Sequence, residues 1–165
     1  MKKLFALVLL ALTTSCATNS EFSGEDLMFA QMMIPHHEQA IEMSDLALQN
    51  SNNAEIRDLA RKIRGEQALE IELMKSWSDS HMGSHMGHMM NGMLSDDEIR
   101  ELEKARGVEF DRLFLEGMIK HHEGAIDMAE DVADSTNKEV AKLAKSIIST
   151  QSAEIEYMKE LLQRL

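Results

Sequence analysis

The chain has 165 residues with one proline, eight glycines, one tryptophan and one tyrosine, the composition of a helical bundle. Its formal net charge of −12 disfavours nucleic acid as a partner and would repel anionic membranes while drawing cations to the surface. A single cysteine rules out an intramolecular disulfide, so the fold must be held by packing, for which one domain of this size suffices.

Lys2 and Lys3 precede the apolar run Leu4 to Leu12, and Thr13, Thr14, Ser15, Cys16 and Ala17 follow, the layout of a bacterial export signal over residues 1–16. The run is too short to span a membrane as a mature helix. Cys16 suggests a lipoprotein cleavage site. Thr13 stands where an aliphatic residue is preferred, and Ser15-x-Ala17 also suits ordinary signal peptidase; lipidation is the favoured reading. The mature protein, at −14 without Lys2 and Lys3, is expected in the periplasm or cell envelope, with membrane contact only through a lipid on Cys16.

Residues 17–24 read as a short polar tether, and residues 25–79 as a first helical hairpin. Phe29, Met33, His36, Ala40, Met43 and Ala47 follow the 4, 3, 4, 3, 4 spacing of a packed helix seam, with His36 in the middle of the stripe. This helix is predicted from about Glu25 to Gln49. Pro35 inside it would free the carbonyl of Gln31 and kink the motif. Asn50 to Asn53 is a turn built from residues that compete with helical backbone bonds. A second helix, about Ala54 to Ser78, puts Ile56, Ala60, Ile63 and Met74 on one face together with Gln67 and Glu70.

Residues 80–94 form a Met/His-rich segment, expected to be a flexible loop, that contains His81, Met82, His85, Met86, His88, Met89, Met90 and Met93. The seven histidines of the chain all lie here or in the two helix motifs, and five of its fourteen methionines lie here. Residues 95–165 then repeat the hairpin. Ser95 and Glu98 make a capping box for a short extra helix to about Ala105, and Gly107 is expected to interrupt it before the second motif. That motif carries Phe114, Met118, Ile119, His121, His122, Glu123, Ala125, Ile126 and Met128, each 85 positions after its counterpart in the first. Asp134 to Asn137 is the second turn, and Gln151 and Glu154 follow Gln67 and Glu70 at an offset of 84. Matching across both helices of both hairpins is internal duplication, and predicts an all-α up-down bundle of four main helices.

In an antiparallel hairpin His36 falls level with Gln67 and Glu70, and His121 with Gln151 and Glu154. A single seam histidine is more often a hydrogen-bonded core residue than a ligand, and methionine is ordinary core filler. The coincidence of both types shifts the balance, because Met33 lies one turn before His36 and His37, and Met118 one turn before His121 and His122. Thioether and imidazole are a soft donor set suited to Cu(I) or Ag(I) and poor for Mg or Ca. In the 80–94 loop methionine has no core to fill. The candidate ligands are therefore Met33, His36, His37 and Met43, their counterparts Met118, His121, His122 and Met128, and the His and Met residues of the loop. Glu38, Glu123, Glu70 and Glu154 would orient the imidazoles from outside.

The doubled Phe-x3-Met-Ile-x-His-His-x2-Ala-Ile-x-Met motif, each followed by Gln-x2-Glu-Ile-x2-Met-Lys, resembles the bacterial domain-of-unknown-function family 305, whose members include exported copper-binding proteins of the CopM type. The resemblance covers nearly all of Asp26 to Leu162 except the loop. It implies a ferritin-like four-helix bundle, extracytoplasmic copper binding and a part in copper homeostasis or tolerance. The partners implied are metal ions and a copper exporter or other periplasmic copper protein. Two other readings compete. A di-iron carboxylate redox protein would need Glu-x-x-His pairs that the motifs lack. A structural or partner-binding bundle would simply satisfy its histidines. No nucleophile with an attendant base and no glycine-rich phosphate loop is present, so an enzyme is not expected.

Overall fold

The computed structural model describes residues 21–77 and 90–165. The expected export signal, the first part of the tether, and His81, Met82, His85, Met86, His88 and Met89 of the loop lie outside the described residues. Five helices and no strand are found among those described: α1 (Gly24–Asn50), α2 (Ala54–Lys75), α3 (Asp96–Lys104), α4 (Gly107–Glu130) and α5 (Lys138–Leu162). No helix among them is long and apolar enough to cross a membrane.

Each boundary has a local cause. At the start of α1 the Ser23 hydroxyl accepts from the Asp26 N–H at 3.1 Å, and the Asp26 carboxylate accepts from the Ser23 N–H at 2.8 Å. Asn53 and Asn137 cap α2 and α5 through their side-chain oxygens. Ser95 and Glu98 form the expected box ahead of α3. The chain then breaks at Ala105 and Arg106, both extended, and Gly107 opens α4 at φ +60°, a conformation that favours glycine. α1 runs through Pro35 as one uninterrupted helix.

α1 packs on α2 and α4 on α5, and the two hairpins meet through α1 and α4. Both hairpins are antiparallel, as ion pairs such as Glu38–Lys75 and Asp45–Arg64 show for the first. The junction between them has a reciprocal form. Ser51, in the turn after α1, donates to the Asp111 carboxylate near the start of α4 at 2.5 Å; Ser135, after α4, donates to Asp26 near the start of α1 at 2.7 Å. These four residues are paired by the repeat itself, so α1 and α4 run antiparallel about an approximate two-fold axis. Burial alone would push the Asp26 carboxyl up, but hydrogen bonds from Ser135 and Ser23 outweigh it and hold the group below its ordinary value.

Two apolar cores lie on opposite sides of this axis. One contains Met43, Phe110, Phe114, Met118 and Met158, and the other Phe29, Met33, Met74, Val140 and Ile147. The two-fold exchanges them: Met43 and Met118 in the first correspond to Met128 and Met33 in the second. α3 has no counterpart among the described residues, and it covers only one end of the α1–α4 junction.

Candidate metal centre

Between the two cores lies a polar layer. His36, His37, His121 and His122 are each 0% exposed, and Gln67, Gln151 and Glu154 are buried beside them. The seam spacing turns His36 and His121 inward, as expected, and their rings meet across the two-fold axis with centroids 3.7 Å apart and planes inclined by 38°. The level predicted for the partner helices is right, but the contacts fall on the neighbouring histidine. His37 Nε2 lies 2.8 Å from Glu70, and His122 Nε2 lies 2.8 Å from Glu154. Glu154 is also held by Lys62 at 2.9 Å. Ser146 stands where Lys62 would be in the other half, so the two carboxylates have unequal surroundings.

His36 and His121 find backbone partners instead. His121 Nε2 donates to the His36 carbonyl at 2.9 Å, and His36 Nε2 donates to the Asn91 carbonyl at 3.2 Å. Every Nε2 in the layer thus faces a carbonyl or carboxylate oxygen, which accepts; each Nε2 therefore carries the ring proton and each Nδ1 is left as a bare lone pair. Among the described residues none of the four Nδ1 atoms has a hydrogen-bond partner, and neither do the amide groups of Gln67 and Gln151. A buried polar atom left in this condition costs about 1–3 kcal/mol, so the layer is an expensive one unless something uses those lone pairs.

Three of the rings, those of His36, His121 and His122, are kept neutral. Burial, with the adjacent His37 adding to it, holds the His36 imidazole down to about 3, and burial with His36 nearby puts His121 well below its usual range. Burial also lowers His122 in spite of Glu154. Glu154 itself is held below its ordinary value: burial would raise it, but the hydrogen bonds from His122 and Lys62 prevail. The unfolded chain therefore binds more protons than the fold between about pH 6.5 and 3. The stability tied to the neutral rings is present above about 6.5 and lost as pH falls through that window. The thermal midpoint of the metal-free protein should drop steadily across it, steepened below about pH 4 by Asp26 and Glu154, when followed by circular dichroism.

The other expected site residues lie outside the histidine layer itself. Met33 belongs to one core, and Met43 and Met118 to the other, so the thioethers are grouped across the repeats rather than within each. Met128 is only partly buried and lines a surface groove with Met28 and Met32. Glu38 and Glu123 are exposed, Glu38 pairing with Lys75 at 3.2 Å, so neither orients an imidazole; one residue past an inward histidine pair, the helix has already turned them to solvent. Met90 and Met93 are half-buried at a packed end of the loop rather than in free chain. There Gln39 clamps the Leu94 backbone through both its amide atoms, at 2.9 and 2.8 Å, and Gly92, at φ +86°, lies against Gly124. Among the described residues no three of His, Cys, Asp and Glu are grouped so as to hold a metal ion by themselves.

Five residues were not anticipated. The Asn91 carbonyl cannot be foreseen, because it depends on how the linker docks. Asp26 and Asp111, and Ser51 and Ser135, do leave a signal: the aspartates repeat at the offset of 85 found in the seam and the serines at the offset of 84 found in the second helices.

Fold and site together define an all-α protein that buries a layer of paired imidazoles between two methionine-bearing cores. The chain belongs to DUF305, a family named as a domain of unknown function, whose sequence model matches residues 26–162. It is similar to a DUF305 fragment from Deinococcus radiodurans, with 32% identity, a TM-score of 0.78 and coverage of 87% of this chain and 98% of that one. A DUF305 protein from Streptomyces coelicolor, described as secreted, gives 31% identity and a TM-score of 0.76 over 85% and 93% of the two chains. CopM in its Cu(I)-bound form gives 35% identity and a TM-score of 0.74 over 84% and 96%, and CopM is also among the similar structures in Cu(II)-bound and silver-bound forms. No functionally curated protein matches the chain.

Proposed function

We propose that this protein binds copper outside the cytoplasm, chiefly as Cu(I) and also as Cu(II) or Ag(I), capturing or buffering the ion rather than catalysing a reaction. The observation that carries the proposal is the set of four buried imidazoles that spend Nε2 on an oxygen and leave Nδ1 bare. An imidazole anchored in this way has its tautomer and ring orientation fixed and its other nitrogen made a better donor. Thioethers from the flanking cores, Met33 on one side and Met43 and Met118 on the other, would complete a soft set that suits Cu(I). The similarity to CopM supports copper over iron, and a di-iron site would need clustered carboxylates that the described residues do not offer.

With α1 and α4 antiparallel the order is up-down-down-up rather than the simple up-down alternation expected, and the arrangement is read as a four-helix bundle of the ferritin-like kind with one long crossover, to which α3 is added. The histidines and methionines at 81–89 are read from composition as further, weaker capacity, and delivery to a copper exporter is the onward step that a periplasmic buffer implies. The test is a titration of untagged protein with Cu(I) under a competing chelator, read by X-ray absorption. Mixed nitrogen and sulfur ligation at the tightest site is expected. Purely oxygen and nitrogen ligation, or tight binding of iron but not copper, would overturn the reading.

A further inference from the structure

The two-fold relation gives the α1–α4 junction two equivalent grooves, and they have diverged. At one end Leu94 and α3 lie over Leu113 and Gly117; a Cβ on Gly117 would come within 3.1 Å of Leu94 and 3.3 Å of Met43. At the other end the groove stays open, with a volume of about 290 Å³. There Met28 stands where the closed end has Leu113, Met32 where it has Gly117, and Met128 where it has Met43. Asp131 replaces Leu46, and Glu25 joins it at the rim.

Three thioethers thus line a groove whose closed counterpart has one. Core filling accounts for Met128 in part but not for the other two, because Met28 is 52% exposed, Met32 is only half-buried, and no helix among the described residues covers the groove. Met28 and Met32 are one turn apart on the same face of α1, and Met128 reaches the groove from α4, so all three side chains line one space. Methionine is unbranched and has three rotatable bonds, which lets the sulfurs converge on a small ion without moving the backbone. Thioether donors select soft monovalent ions, and the Glu25 and Asp131 carboxylates supply the negative potential that draws a cation to the rim.

From this juxtaposition we propose that Met28, Met32 and Met128 form a separate thioether site for Cu(I) or Ag(I), open to solvent and independent of the histidine layer. It differs in kind from the buried layer: it offers sulfur alone, it is reached directly from water, and it contains no titrating ligand.

The test uses the full chain labelled with carbon-13 at the methionine methyl groups and titrated with Ag(I). The methyl signals of Met28, Met32 and Met128 should shift together, and in M28L/M32L the total silver bound should fall by one equivalent with the Met128 shift lost. Leucine matches methionine in size and helix propensity, so the fold should be kept; M28L alone, at a half-exposed position, serves as the milder variant. The three shifts should persist in H36Q/H121Q, which separates this site from the histidine layer. Unmoved methyl signals, an unchanged silver count in M28L/M32L, or loss of the three shifts in H36Q/H121Q would overturn the proposal.

Discussion

Replacing His36 and His121 together by glutamine should weaken Cu(I) binding by more than about a hundredfold and leave the helix content unchanged. Loss of a group that merely orients a metal ligand already costs about 10–100-fold in affinity, and this double change removes two bare Nδ1 donors at the centre of the layer. The two rings are in contact, so removing one leaves the other without its neighbour, and the single variants should fall short of the double by a non-additive margin. Chelator competition measures the affinity, and far-ultraviolet circular dichroism checks the helices. Unchanged affinity with a lowered thermal midpoint would show that these histidines serve the core and nothing else.

Gly124→Ala should be the most damaging alanine substitution at any glycine among the described residues. A Cβ there would lie 2.0 Å from the Asn91 carbonyl oxygen, 2.5 Å from its carbon and 2.8 Å from the Gly92 Cα. All three are backbone atoms, and they cannot swing aside as a side chain can. The linker would have to lift from α4, and the carbonyl that anchors His36 would go with it. Overpacking of this kind costs about 1–3 kcal/mol and sometimes more, and the lost anchor for His36 adds to it. Urea denaturation should show the loss, and the Cu(I) affinity should fall with it because His36 is no longer held. Gly65→Ala is the control: nothing lies within 4 Å of its Cβ in the middle of α2, so it should stabilise by about 0.5–1 kcal/mol.

How much of this was written in the sequence depends on whether the cause is local. The seam spacing located α1 and α4 and turned His36 and His121 inward, since helical periodicity is a property of a dozen neighbouring residues. The capping boxes and asparagine turns fixed the boundaries to within a few residues for the same reason. The hairpin register predicted the level of Glu70 and Glu154 but not which histidine each would meet, because the choice turns on about 100° of helix rotation that only packing decides. The grouping of Met43 with Met118 requires the docking of one hairpin on the other, which no single segment encodes. The duplication did contain that information in one place: a repeat whose turns hold each other's leading carboxylates must cross antiparallel, and Asp26, Ser51, Asp111 and Ser135 were all visible at the repeat offsets.

That exchange of serine and aspartate bears on how a polar layer can sit at the junction at all. Each hairpin presents both halves of the contact, so the interface is isologous, the kind through which two identical chains associate as a dimer. Two separate hairpins would have to form it at their cellular concentration, against the full loss of translational freedom, with unsatisfied imidazoles and amides at its centre. Joined in one chain, the second hairpin is presented to the first at an effective concentration in the millimolar range whatever the amount of protein made. The covalent link therefore releases the junction from having to be cohesive, and leaves it free to hold reactive nitrogen atoms where a free dimer would need hydrocarbon.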